Sequence, residues 1–174
     1  VDTQAPTVTI TSPNEGDWVN IENVTVSWTA NDTGSGIDHY EVRMYNSTWD
    51  SGWINVGLNT SYTFSNLGDD QYTVQVVAYD KAGNTGSDQI TVGVDTTPPT
   101  VNITNPSDGA YINSSDVTVK WTGDDALSGI DHYEVRMKND TWDSGWINTG
   151  TSTSYTFTSL SDGTYTIYVK AIDT

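Results

Sequence analysis

Apolar and polar residues alternate through most of this 174-residue chain. In NVTVSWTA, Val24, Val26 and Trp28 fall on one face and Thr25 and Ser27 on the other. In HYEVRM, Tyr40, Val42 and Met44 alternate with Glu41 and Arg43. Val8 and Ile10 alternate with threonines, and SYTF, QYTVQVVAY and DQITVGV keep the same period of two. A period of two rich in Val, Thr, Tyr and Trp is the signal of half-buried strands. PNEG, DTGSG, DSG, GDD and KAGN separate the runs as turn clusters. No segment carries a helical period. Six or seven short strands in about 90 residues predict an all-β sandwich.

The pattern then repeats. VDTQAPTVTITSP at 1–13 returns as VDTTPPTVNITNP at 94–106, SGIDHYEVRM at 35–44 returns at 128–137, and TWDSGWIN at 48–55 returns at 141–148. The offset is 93 throughout, and roughly 49 of 81 aligned positions are identical. Such self-similarity marks a tandem array. It divides the chain into a first module, 1–93, and a second, 94–174, with a proline-bearing linker at 94–99 that favours an extended, semi-rigid spacer. The second module ends at Ala171-Ile172-Asp173-Thr174 and has no counterpart of KAGNTGSDQITVGV, so it lacks its last strand. An open strand edge is a template for pairing. Two readings follow: the natural chain continues, or another chain supplies the strand in trans by β-augmentation.

Composition narrows the class. Six Lys+Arg stand against 23 Asp+Glu, a net charge of -17. Nucleic acid, which needs clustered cations, is excluded as a partner, and anionic membrane surfaces are disfavoured. No apolar run is long enough to span a bilayer. The absence of Cys excludes disulfide frameworks, thiol catalysis and Cys-zinc sites, and suits a prokaryotic surface protein better than an animal one.

Longer phrases make a resemblance specific. The chain carries a Trp on its second strand and the corner TSYTFSNLGDDQYTVQVVAYD, in which Tyr72 follows Leu67 by five residues. Leu160 and Tyr165 repeat that spacing. With D-T-x-x-P-T at the linker, S-G-I-D-x-Y-E-V and A-x-D-x-A-G-N, the whole chain resembles the fibronectin type III/Ig-like tandem modules of archaeal and bacterial extracellular surface proteins. The resemblance implies two sandwiches of about seven strands, an extracellular or cell-surface setting, and a corner tyrosine whose hydroxyl bonds backbone. It implies no particular activity.

Candidate chemistry is sparse. His39 and His132 sit at equivalent positions, and no phosphate loop, zinc motif or nucleophile elbow is present. Both histidines read as structural or surface groups, and the protein as a non-enzyme. The acids are 19 Asp and four Glu. The sandwich topology brings Asp2, Asp32 and Asp80 to one pole of the first module, and Asp95, Asp125 and Asp173 to the same pole of the second. Clustered carboxylates suit Ca²⁺, which takes oxygen ligands. The competing reading is solvated turn aspartates. No other cofactor is implied.

Asn-x-Ser/Thr occurs at Asn23, Asn31, Asn46, Asn59, Asn102, Asn113 and Asn139. These are glycosylation acceptors in a surface protein, with Asn46 and Asn139 beside a hairpin as the most accessible. Trp49 and Trp53 flank a tight turn, and Trp142 and Trp146 repeat the arrangement. Three readings stand for these pairs: packing partners, protein contacts, or a platform for sugar rings. Trp28 and Trp121 are core.

Together these features point to a non-catalytic structural segment of an extracellular stalk, adhesin or filament, with copies of itself, neighbouring repeats or cell-surface glycans as partners. The alternatives are a carbohydrate-binding accessory region of a secreted hydrolase and a strand-exchange polymer subunit.

Overall fold

The computed structural model describes residues 1–174 and contains only strands and turns. It divides into two units, Val1–Thr97 and Pro98–Thr174.

Unit 1 has eight strands: β1 (Thr7–Ser12), β2 (Asp17–Val19), β3 (Val24–Asn31), β4 (Ile37–Tyr45), β5 (Ile54–Gly57), β6 (Ser61–Phe64), β7 (Asp70–Asp80) and β8 (Thr85–Val94). They form a three-stranded sheet, β1-β3-β6, and a five-stranded sheet, β2-β8-β7-β4-β5. All pairings are antiparallel except β2 with β8. The alternation in sequence becomes the inside of the sandwich. Val24, Val26 and Trp28 from one sheet meet Tyr40, Val42, Met44, Val74, Val76 and Val92 from the other, all buried. Thr25 and Thr63, opposite each other on the outer face, share a hydroxyl hydrogen bond of 2.8 Å. At the corner before β7, the Tyr72 hydroxyl donates to the Gly68 carbonyl at 2.9 Å, as the resemblance implies. Gly93 is required by close approach: a Cβ there would run into the Trp18 indole, which covers β8 at that point.

Unit 2 has six strands: β9 (Thr100–Asn105), β10 (Val117–Asp124), β11 (Ile130–Lys138), β12 (Ile147–Asn148), β13 (Ser154–Phe157) and β14 (Thr166–Asp173). Its sheets are β13-β10-β9 and β12-β11-β14. Tyr165 repeats the corner, donating to the Ser161 carbonyl at 3.0 Å. β14 has one partner, β11, where β7 has two. Residues 110–112, the repeat of β2, form no strand, whereas β2 pairs with β8. Tyr111 and Ile112 are exposed, whereas Trp18 and Val19 are half-buried.

Candidate functional site

β1 begins, and β3 and β7 end, at one pole of unit 1. β1 pairs with β3 from Thr7 opposite Asn31, and β4 pairs with β7 from Ile37 opposite Asp80. These registers bring the residues flanking the strands together, and Asp2, Asp32 and Asp80 each place a carboxylate oxygen within 4.8 Å of the others. The aspartates also order the turns beneath them. Asp2 Oδ1 accepts from the Gln4 amide at 3.0 Å and Oδ2 from the Ser35 amide at 2.5 Å. Asp32 Oδ2 accepts from the Gly34 and Gly36 amides at 3.2 and 2.6 Å. Asp80 is buried; its Oδ1 accepts from the Ala82 and Asn84 amides, both at 2.8 Å, and its Oδ2 from Asn84 Nδ2 at 2.7 Å. Gly34 permits this arrangement, since a Cβ there would collide with the Asp2 carboxylate.

The titration of the cluster reflects those donors. Asp2 lies below the ordinary carboxylate range because amide and side-chain donors from Gln4 and Ser35 stabilise its charge. For Asp80 the largest single effect is burial, which raises the pKa. The Asn84 side chain and the Asn84 and Ala82 amides together outweigh it, and the group ends below its ordinary value. Asp32 Oδ1 differs from the other oxygens: it is buried and accepts no hydrogen bond. In unit 2, Asp125 Oδ1 accepts from the Leu127 and Gly129 amides at 3.0 and 2.8 Å, and Asp173 closes β14. Asp95, the repeat of Asp2, is a residue of unit 1; it is buried, and its Oδ1 accepts from the Thr97 amide at 3.1 Å.

The tryptophan pairs do not form two-indole platforms. Trp49 packs edge-on against the buried Tyr72, with centroids 5.9 Å apart, so it belongs to the inward side. Trp53 lies with Arg43, an outward residue of β4, the guanidinium carbon 5.8 Å from the ring centroid. The turn DSG separates them, so that one indole meets the inward Tyr72 and the other the outward Arg43. Arg43 also forks onto Asp50, Nε to Oδ1 at 2.9 Å and Nη2 to Oδ2 at 2.5 Å. That donor pair holds Asp50 down at about 2. Arg136 repeats the fork onto Asp143, also held at about 2. Likewise, Trp142 packs on Tyr165 and Trp146 lies beside Arg136.

The remaining sequence candidates sort clearly. His39 stacks on Tyr79 with centroids 4.3 Å apart and bonds Asp38 at 2.8 Å, and His132 bonds Asp131 at 2.7 Å. Trp28 and Trp121 are core, each 2% exposed. Asn23, Asn31, Asn59, Asn102 and Asn113 are exposed. Asn46 and Asn139 are not the most accessible sequons: both are half-buried, and each amide oxygen accepts from the hydroxyl and amide of the sequon Thr and from the amide of the Trp after it. Asn46 Nδ2 also donates to Asp70 at 2.9 Å. These two asparagines build the hairpin turn.

Gln75, Ser87 and Gln89, which surround Trp53, are absent from the sequence candidates. Their signal was the outward register of two neighbouring strands, and pairing β7 with β8 was needed to see it.

A family model described as "Bacterial Ig domain" matches residues 6–92 and again 99–169. No curated protein matches the chain. Among solved structures, the fibronectin(III)-like modules of Clostridium thermocellum CbhA align with a TM-score of 0.54 at 19% identity, over 96% of this chain and 86% of theirs. The FN1–FN3 domains of chicken CNTN1 align at 0.44 and 20% identity, over 98% of this chain and 62% of theirs. A structure of carbohydrate-binding modules of the β-sandwich superfamily aligns at 0.46 and 17% identity, over 99% of each chain. With two successive matches that together cover most of its length, the chain belongs to the bacterial Ig domain family, as a tandem pair with fibronectin-III-like β-sandwich architecture.

Proposed function

We propose that this chain is a non-catalytic structural segment of an extracellular stalk, adhesin or filament built from tandem Ig-like repeats. One observation carries the reading: the contacts repeated position for position are those that hold scaffold. The Arg43–Asp50 and Arg136–Asp143 forks hold the hairpins, and the Tyr72 and Tyr165 hydroxyls hold the corners. Both histidines are engaged by a neighbouring aspartate on an outer sheet face, and neither meets a Ser or Thr nucleophile. Immunogold labelling of the source cells tests the setting. Label on intact cells is expected, and label that appears only after permeabilisation overturns the reading.

A second reading is favoured by Asp32 Oδ1, a buried oxygen without a donor beside two more carboxylates. Leaving such an acceptor unsatisfied costs about 1–3 kcal/mol, and a hard cation would satisfy it. We propose that Asp2, Asp32 and Asp80 take Ca²⁺. Adding millimolar Ca²⁺ to the full chain is expected to raise the melting temperature of unit 1, and Asp32→Asn to remove that rise. An unchanged melting curve refutes the site.

A further inference from the structure

The outer face of the five-stranded sheet carries a depression of about 380 Å³ lined by Trp53, Gln75, Val77, Ser87, Asp88 and Gln89. Its outline is set by strand register. Gln75 stands opposite Gln89, and Val77 opposite Ser87, across the β7–β8 pair. Arg43, opposite Gln75 on β4, lies against Trp53 and is held by its fork onto Asp50. The indole is thus fixed in place and still 45% exposed. Trp53, Arg43, Gln75 and Gln89 make one row across the sheet. Three strand spacings give it a length of about 14 Å.

The polar chemistry of the row is specific. Gln75 Nε2 donates to Gln89 Oε1 at 3.0 Å. That single bond leaves one amide oxygen on Gln75 and one NH₂ on Gln89 facing outward. If both amides are turned over, the same count remains, one acceptor and one donor. Asp88 turns its carboxylate toward backbone, its oxygens accepting from the Gln89 and Ile10 amides at 2.9 and 2.8 Å. With the Asp88 carboxylate in its lining and a net chain charge of -17, the depression disfavours anionic ligands. Val77 is its only aliphatic side chain, too little for the apolar centre of a protein interface. An indole face takes the C–H face of a pyranose ring, and an adjacent donor and acceptor take neighbouring hydroxyls.

From these features we infer that unit 1 binds a neutral polysaccharide across this row, with Trp53 as the stacking residue and Gln75 and Gln89 as the hydroxyl-reading pair. Unit 2 does not bind it. There, Tyr168 and Lys170 replace Gln75 and Val77, and the Lys170 ammonium lies 4.4 Å over the Trp146 ring, where a sugar would stack. The inference is independent of the spacer role, since a structural segment can stand without a ligand.

Affinity electrophoresis of the full chain through gels containing hydroxyethylcellulose, laminarin or galactomannan tests it. Wild type is expected to be retarded by at least one polymer. Trp53→Ala and Gln75→Ala/Gln89→Ala are each expected to weaken retardation tenfold or more, while Trp146→Ala leaves it unchanged. The glutamine pair lies on the surface, so it keeps the test decisive if Trp53→Ala loosens the hairpin. No retardation of wild type in any gel overturns the inference, as does retardation that survives both variants or depends on Trp146. Concentration-dependent dimerisation abolished by Trp53→Ala would assign the row to a second copy and overturn it as well.

Discussion

β7 and β14 carry nearly the same inward residues, yet they lie in different environments. Val74, Val76 and Ala78 of β7 are fully buried. Their repeats, Ile167, Val169 and Ala171, are half-buried. The side chains did not change in kind; the neighbour did. β8 supplies Ile90, Val92 and Val94 to the core and a hydrogen-bonding edge to both β7 and β2. Sixteen hydrophobic residues are buried in unit 1 and six in unit 2. Burial is therefore a property of the assembled sheet rather than of a strand's own sequence. One strand decides the state of its two neighbours.

Breaking β8 should erase the contrast. Val92→Asp puts an unpaired charge at a fully buried position and is expected to cost unit 1 more than about 4 kcal/mol. Calorimetry of the full chain should then show unit 1 melting no higher than unit 2, where wild type melts in two steps with unit 2 first. A milder probe compares equivalent positions. Val76→Ala should cost about 2 kcal/mol and Val169→Ala about half as much, measured as separate shifts of the two transitions in urea. Equal costs would mean that β14 is as enclosed as β7.

Acid should separate the units by another route. In unit 1, Asp2, Glu15, Asp50, Asp69 and Asp80 all lie below their ordinary values, whereas in unit 2 only Asp143 does. A carboxyl whose pKa is lower folded than unfolded adds stability above its unfolded pKa and loses it as pH falls through the folded one. Between roughly pH 4.5 and pH 2, the melting temperature of unit 1 should therefore fall further than that of unit 2. Parallel shifts would show that these hydrogen-bonded carboxylates do not hold unit 1 together.

The smallest effect concerns one turn residue. Asn66 and Ser159 share a left-handed backbone with φ of 58°, and their amides donate to Asn23 Oδ1, just before β3, and Asp116 Oδ1, just before β10. Asn tolerates that conformation better than Ser. Ser159→Asn should stabilise unit 2 by about 0.5 kcal/mol, visible as a small rise in its transition alone.

Much of this was legible in the chain itself. A period of two identifies Val24, Val26, Trp28, Tyr40, Val42 and Met44 as inward, since successive strand side chains must point to opposite faces. The offset of 93 identifies two copies of one fold, and the Leu-to-Tyr spacing places the corner tyrosines. Even the carboxylate cluster of Asp2, Asp32 and Asp80 follows once strand order is assumed, because strand ends that share a pole bring their flanking residues together. Other features needed the tertiary structure. TWDSGW alone cannot say what its two indoles meet, and in the fold Trp49 packs on Tyr72 while Trp53 lies with Arg43. Asn46 looks like any other sequon until its amide is found building the turn. Gln75 and Gln89 are 14 residues apart in the chain, and only the β7–β8 register sets them side by side. Local pattern determines which way a side chain points. What it meets there depends on strands distant in sequence, whose pairing the local pattern does not encode.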